Sequence, residues 1–413
     1  MSAPGNGGAL AGLRVLDTAT LYAGPFITTV LADHGADVIK IEPPGGDSYR
    51  HTATRMWPLL ARNKRSVVAD LRSRDGAGLV RALVPELDVV VVNMPDRLLN
   101  DAGLNYQTLS AINPGLIYVH VTSYGLDGPY AGRPANGTLG EALSGLTHMT
   151  GAADGPPVLA SVPVGDAVTG YVGAFGVLAA CYHRLAHGAC GQLIDVNPVD
   201  AMLQITGPVL SQHEDGADPP HRLGSGLAAS ALRGVFRTSD DAWVAVGAST
   251  PRHLREIAGL CGHAEFDGSG RPAGDVVPRV ERWVACRKRA DVLAAFAERR
   301  LPIAPVATAQ DVLDDEHLRA RRAVRYVHTP EHGPVPGPAP APRLLGSTAE
   351  LPWRTPDLDE HGAAIRSPAH ARSRAETEPA TAPVNPAATG GSVRAGTGRP
   401  CQPPSIAVNY SAK

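Results

Sequence analysis

The segment Val162-Pro163-Val164-Gly165-Asp166-Ala167-Val168 sets an aspartate directly before a run with helical apolar spacing. Backbone N–H groups at a helix start point outward without intrahelical partners, so a carboxylate placed there sits at a positive end and is expected to stay ionised. One reading is an ordinary helix cap. The other is a nucleophile: Gly165 leaves room for a ligand beside it, and an ionised carboxylate can attack a thioester carbonyl. The resulting anhydride is reactive enough to be reopened by a thiolate or a second carboxylate. Local sequence supplies the anion but not the substrate, so both readings stand at this point.

The helix that would carry Asp166 is expected from Ala167 to His183, where Val168, Tyr171, Val172, Phe175, Leu178 and Tyr182 recur three or four residues apart. Upstream, short β-branched runs alternate with amphipathic stretches, as in a parallel sheet wound with helices. The strand candidates are Arg14 to Asp17, Asp37 to Ile41, Ser66 to Leu71, Asp88 to Asn93 and Leu116 to Thr122, with a helix from Gly24 to His34 that Gly35 ends. Past Ile205 the texture changes to a Gly/Ser loop (Gly224, Ser225, Gly226), a strand at Ala242 to Gly247 and helices around His253 to Cys261 and Ala290 to Arg299. The fold class is therefore α/β: a Rossmann-like large domain with a parallel sheet plus a smaller α+β domain. The expected boundaries are 10–204 for the first part of the large domain, 205–320 for the small domain, and 321–366 for a segment returning to the large one. Residues 367–413 hold no Leu, Met, Phe or Trp and are expected to be a disordered tail. No repeat of fixed period and no heptad array is present.

With 43% hydrophobic residues and a formal charge of -2 scattered over 413 positions, the chain suits a globule binding a small molecule, not nucleic acid or a membrane surface. No uninterrupted apolar run approaches the roughly 20 residues of a membrane span, and the start MSAPGNGGALAGL lacks the features of a secretion signal, so a cytoplasmic protein is expected. Five scattered cysteines, Cys181, Cys190, Cys261, Cys286 and Cys401, argue for reduced thiols. Cys181, His183, His187 and Cys190 fit no common zinc spacing, and no metal is expected. His213-Glu214-Asp215 reads as a solvated loop. No G-x-G-x-x-G follows Val15 to Asp17, no phosphate-binding G-x-x-x-x-G-K-[ST] occurs, and Gly224-Ser225-Gly226 is not a G-x-S-x-G elbow.

Three ordered blocks resemble family III CoA-transferases of the CaiB/BaiF type. GLRVLDTATLYAGPFITTVLADHGADVIKIEPPGGDSYR resembles the family opening, and NKRSVVADLRSRDGAGLVRALVPELDVVVVN the following block. PVGDAVTGYVGAFGVLAACYHRLAHGACGQLIDVNPVDA resembles the block with the family nucleophile. Weaker similarity runs to about Ile365, through LRGVFRTSDDAWVAVGAST and TPDLDEHGAAI. The resemblance implies that Asp166 is the catalytic aspartate, passing through an aspartyl anhydride and an aspartyl-CoA thioester. It implies CoA contacts at Tyr22, Ala23, Ala69 to Arg72, Asn93 and Met94, with Arg72 facing a CoA phosphate and Lys64 and Arg65 as further phosphate candidates. It also implies acyl-CoA and carboxylate substrates, no permanently bound cofactor, and a homodimer of interlocked chains.

Departures narrow the reading. The formate-handling branch resembles this chain less at Tyr22, Pro43 and Met94, where it carries Gln, Arg and Phe, so a different acyl partner is implied. The racemase branch needs a His before ALSG, where this sequence has Asn136, a residue that cannot take a proton at neutral pH. Intramolecular CoA transfer within one dicarboxylic acid, racemization and non-catalytic CoA binding remain as alternatives to transfer between two acids.

Overall fold

The computed structural model describes residues 7–211, 222–227, 230, 232–262 and 276–367. The chain divides into two units: one of the residues up to Ser144, Val162–Ile205 and the chain from Val324 onward, the other of Gly145–Ser161 and Thr206–Ala323. Residues 145–161 thus group with the second unit and not with the sheet. The tail expected beyond residue 366 and the triplet His213-Glu214-Asp215 lie outside the described residues, Ser367 excepted.

In the first unit β1 (Arg14–Asp17), β2 (Asp37–Glu42), β3 (Arg65–Val68), β4 (Val89–Val92), β5 (Ile117–Val121) and β6 (Leu193–Val196) form one sheet in the order β3-β2-β1-β4-β5-β6. Every pairing is parallel. Successive strand residues point to opposite faces, and here both faces are covered, which is why the strands read as unbroken apolar runs. Leu16, Ile39, Val90, Val92 and Tyr118 pack into one core with Val80, Leu99 and Leu109. Val15, Val38, Val89, Val91 and Val119 pack into the other with Ile27, Leu31, Ala174 and Val177.

That second face holds two helices that matter for function, α1 (Ala23–Asp33) and, after the short α2 (Gly137–Leu143), the long α3 (Val164–His187). Gly35, at φ 102°, turns the chain from α1 into β2 where a residue with a Cβ is disfavoured. Glycines on α3 let α1 come close: a Cβ on Gly170 would stand 2.5 Å from Phe26 Cδ1. By length and composition α3 could cross a membrane; here Gly165, Thr169, Gly170, Gly173, Ala174, Val177 and Ala180 are buried. The sheet reverses its winding between β1 and β4, so the loops leaving the carboxyl ends of these two strands flank a crevice, the usual ligand position in such sheets.

The second unit is an antiparallel sheet of β7 (Leu232–Arg237), β8 (Trp243–Ala248) and β9 (Ile303–Pro305) backed by helices Pro251–Leu260, Val277–Ala285 and Arg289–Glu298. Leu232, Phe236, Val244, Val246, Val280, Val284 and Phe296 form its core. Its other face lines an open hollow of about 600 Å³ that includes Arg233, Val235, Ala245 and Ile303. From Val324 the chain makes a hairpin, β10 (Val324–Thr329) with β11 (Gly333–Pro338), in the first unit. There Asp359 accepts the Val68 N–H at 2.8 Å and Ile365 enters the sheet core.

Candidate active site

Helix α3 begins earlier than its apolar spacing suggests. Pro163 is its N-cap residue, and Asp166 stands third in the first turn and not ahead of it. The half-buried Asp166 carboxylate accepts a hydrogen bond from the backbone N–H of Gly137, the first residue of α2. Two helix starts therefore meet at this carboxylate. Burial pushes its pKa up, the Gly137 bond pulls it down, and the neighbouring Glu141 carboxylate adds to the rise; the net direction is upward. Helix-end stabilisation does not dominate, contrary to the expectation from sequence. A more basic carboxylate is also a stronger nucleophile, provided it is ionised.

Glycine makes the meeting possible. A Cβ on Gly137 would lie 2.5 Å from both Cγ and backbone N of Asp166, and one on Gly165 would lie 2.8 Å from the Gly137 carbonyl carbon. Buried Glu141 ties the helices together from below, its Oε1 accepting the Gly165 N–H at 2.9 Å. Asn136 caps α2, Oδ1 accepting the Leu139 N–H at 3.3 Å. The residue at the position where the racemase branch is expected to carry its base is thus engaged in building the helix start.

The turn between β1 and α1 supplies the facing wall. Leu21 holds φ 66°, a left-handed conformation that costs a branched residue roughly 1–3 kcal/mol and persists only where surroundings enforce it. Tyr22 follows as the N-cap residue of α1. Its ring lies tilted against Phe26, centroids 5.4 Å apart, and Phe26 meets Tyr171 of α3 edge-on at 5.1 Å. Burial raises the Tyr22 phenol pKa, and the Asp166 charge raises it further. The same two causes act on Tyr49, in the short helix Tyr49–Thr52. Two neutral phenols thus lie within the field of the aspartate. Sequence reading named Tyr22 and missed Tyr49, whose only signal was its place in the GGDSYR end of the first block.

Asn93, just past β4, braces the turn between β1 and α1, and Ala23 closes it. The Asn93 amide donates to the Thr20 carbonyl at 2.8 Å and accepts the Thr20 N–H at 3.0 Å, bridging the ends of β4 and β1. Ala23 opens α1, where first-turn N–H groups lack intrahelical acceptors. Met94 leaves β4 half-buried, its carbonyl 3.1 Å from His120 Nε2. Ala69, just past β3, is buried and donates its N–H to Glu42 at 2.8 Å, while Arg72 beyond it is exposed, with no ion pair among the described residues. The two other phosphate candidates are corrected. Lys64 is fully buried against Asp17, and Arg65 pairs with Asp37 at 2.6 Å. Cys181, Cys261 and Cys286 are free thiols, and Cys401 lies outside the described residues.

Residues 10–362 match the family described as CoA-transferase family III. The chain belongs to that family. As a family III CoA-transferase it moves CoA between an acyl-CoA and an acid. Succinyl-CoA--D-citramalate CoA-transferase of Chloroflexus aurantiacus is 31% identical over 370 residues, covering 86% of this chain and 92% of that one. Succinate--glutarate CoA-transferase of Agrobacterium fabrum is 31% identical over 385 residues, covering 86% and 94%. Among solved structures, a CaiB/BaiF family protein from Brucella suis superposes with a TM-score of 0.76 at 31% identity, covering 87% of this chain and 98% of that one.

Proposed function

We propose that Asp166 is the nucleophile of a CoA transfer whose donor is succinyl-CoA and whose acceptor is a second short dicarboxylic acid. The meeting of two helix starts at an accessible aspartate supports the first part, and the substrates named for the relatives above support the second. An Asp166 oxygen attacks the thioester carbonyl carbon and the C–S bond breaks, giving a succinyl-aspartyl anhydride and CoA thiolate. The thiolate attacks the aspartyl carbonyl, releasing succinate and leaving an aspartyl-CoA thioester. The acceptor carboxylate displaces the thiolate from aspartate to form a second anhydride. Thiolate attack on the acceptor carbonyl then yields acceptor-CoA and regenerates the Asp166 carboxylate. Each tetrahedral step places negative charge on an oxygen beside Gly137 N–H and the first turn of α1, where backbone donors stabilise it.

In this reading Tyr22, Ala23, Ala69, Arg72, Asn93 and Met94 border the CoA, and Arg72 is the phosphate contact because its guanidinium is exposed and uncommitted. The site works in the cytoplasm, where acyl-CoA is made and used, and needs no resident cofactor. Incubating the protein with succinyl-CoA and hydroxylamine is expected to inactivate it and leave a hydroxamate on the peptide carrying Asp166. A screen of dicarboxylic acids scored by thioester exchange names the acceptor; exchange only with formate or monocarboxylic acids would sink the substrate assignment.

The same reading includes a homodimer with interlocked chains. Tyr171, Phe175, Leu178, Tyr182 and Leu185 form an exposed apolar stripe along α3, with Phe175 71% and Leu185 81% accessible in the single chain. An isolated exposed apolar residue is ordinary, but a stripe over four turns of one helix is a docking face. Replacing Leu185 with glutamate is expected to shift the sedimentation of the native dimer to that of a monomer; a native protein that sediments as a monomer would exclude the assembly.

A further inference from the structure

Beneath the turn that presents Tyr22 lie two lysines with almost no solvent access. The Lys64 ammonium donates to the Pro25 carbonyl at 2.7 Å, to Thr28 Oγ1 at 2.8 Å and to Asp17 Oδ2 at 2.9 Å, so all three of its protons are placed. The Lys40 ammonium donates to the Ala19 carbonyl and stands 3.5 Å from Asp17 Oδ1 and 3.4 Å from Asp47 Oδ2. Asp17 completes the set: Oδ1 accepts the Ala19 N–H at 3.1 Å and Oδ2 the Thr28 hydroxyl at 2.7 Å. The carbonyls of residues 19 and 25, at the two ends of the turn, are therefore each drawn inward by a buried cation, and one carboxylate anchors both cations. Between them Asn93 fixes Thr20, and Leu21 is held in its left-handed conformation.

A buried ion pair is weak evidence for stability, because well-packed apolar residues of the same volume often do as well or better. What the charges add here is direction. The Pro25 carbonyl, in the first turn of α1, also has the Thr29 hydroxyl 2.8 Å and the Thr28 hydroxyl 3.0 Å away, and the ammonium fixes its orientation more firmly than these neutral donors would alone.

We propose that Lys64 is a positioning residue for CoA transfer, holding the Leu21–Gly24 turn in the conformation that sets Tyr22 and the first amides of α1 opposite Asp166. This rests on the reading of Asp166 as nucleophile. Lys64 acts through the Pro25 carbonyl and touches no substrate.

The proposal carries a pH signature. Lys64 is faced by Asp17 from β1, Lys40 from β2, Thr28 and Pro25 from α1, and Arg62 from the chain before β3. Burial pushes its pKa down from 10.5 to about 8, with the Asp17 charge opposing. Above that point the ammonium becomes an amine and its hold on Pro25 and Asp17 weakens, so kcat falls. Stability moves the other way: the folded state gives up this proton before the unfolded chain does, so from about pH 8 to 10.5 the Lys64 contribution to stability rises with pH. Activity is lost where this group's contribution to the fold improves, a combination that a purely structural role does not produce.

The test is the pH dependence of kcat and KM for thioester exchange between about pH 7 and 9.5, in the native protein and in Lys64→Met. The native kcat is expected to fall with an apparent pKa near 8 while KM holds and the melting temperature does not fall. In Lys64→Met kcat is expected to start about a hundredfold lower, the cost of a misplaced reacting wall, and to lack the alkaline limb. Should Lys64→Met fail to fold, Asp17→Asn with Lys64→Met removes both charges together and serves in its place. A flat native profile, or a folded variant with native kcat, overturns the proposal. Asp166→Ala measured in parallel separates the two readings, because activity in that variant would overturn the nucleophile assignment, not the role of Lys64.

Discussion

Replacing Asp166 with alanine is expected to lower the rate of thioester exchange by at least about a thousandfold, because a covalent route loses its attacking atom outright. The fold should survive. Asp166 lies in the first turn of a 24-residue helix, is half-buried, accepts the Gly137 N–H and shares a field with Glu141, Tyr22 and Tyr49. Removing it discards a partly desolvated charge and leaves one first-turn N–H to water, so the melting temperature and CoA affinity are expected to stay near native values. A rate of more than a tenth of native in a folded variant would show that CoA passes directly between acids. The native enzyme should also lose activity as pH falls through the pKa of this group, since only the anion attacks. Burial places that acid limb above the ordinary aspartate value of 3.8. Taken with the alkaline limb assigned to Lys64, the profile has two sides with separate causes, and each variant should remove one of them.

Much of the sheet could be read in advance because parallel strands buried on both faces show as apolar runs, and Val89–Val92 is the plainest case. The strand β6 escaped notice for the opposite reason. It is an edge strand of four residues, LIDV, only partly buried, and Asp195 interrupts its apolar pattern. Asp166 was readable as a candidate because its surroundings are local: a glycine, a helix start, a long amphipathic run. The N-terminal end of α3 was not, since Val164 and Gly165 carry no helix signal of their own and are set there by packing against Gly137. Lys64 shows the limit most clearly. Sequence displays its charge but not its burial, and Asp17, which neutralises it, is 47 residues away in the chain. A lysine read as a surface phosphate contact is instead an internal strut. Tyr49 belongs to the same class, since only folding sets it in the field of an aspartate from another part of the chain.

Gly137→Ala is expected to cost about a hundredfold in catalysis, although it adds a single methyl group. Gly137 is absent from the positive-φ residues, so alanine meets no backbone strain there. The cost is contact. The new Cβ would stand 2.5 Å from Asp166 Cγ, 2.6 Å from Oδ2 and 2.5 Å from the Asp166 backbone N, distances that real Cβ atoms essentially never show. A flexible side chain could yield, but the backbone N belongs to the first turn of α3, so the two helix starts must separate. Separation breaks the Gly137 N–H bond to the carboxylate and turns Asp166 away from Tyr22. A shift of about 1 Å at a reacting group is worth on the order of a hundredfold in rate, and overpacking costs about 1–3 kcal/mol of stability. The control is Gly78→Ala, in the helix Arg74–Leu83 of the same unit, where a Cβ meets nothing closer than Arg81 Nη2 at 4.0 Å. There alanine is expected to leave kcat unchanged and to raise stability by roughly 0.5–1 kcal/mol through its better helix propensity. The measurements are kcat, hydroxamate yield and melting temperature for both variants. If Gly137→Ala kept native kcat, the close approach of α2 and α3 would be irrelevant to chemistry and the carboxylate would owe its reactivity to burial alone.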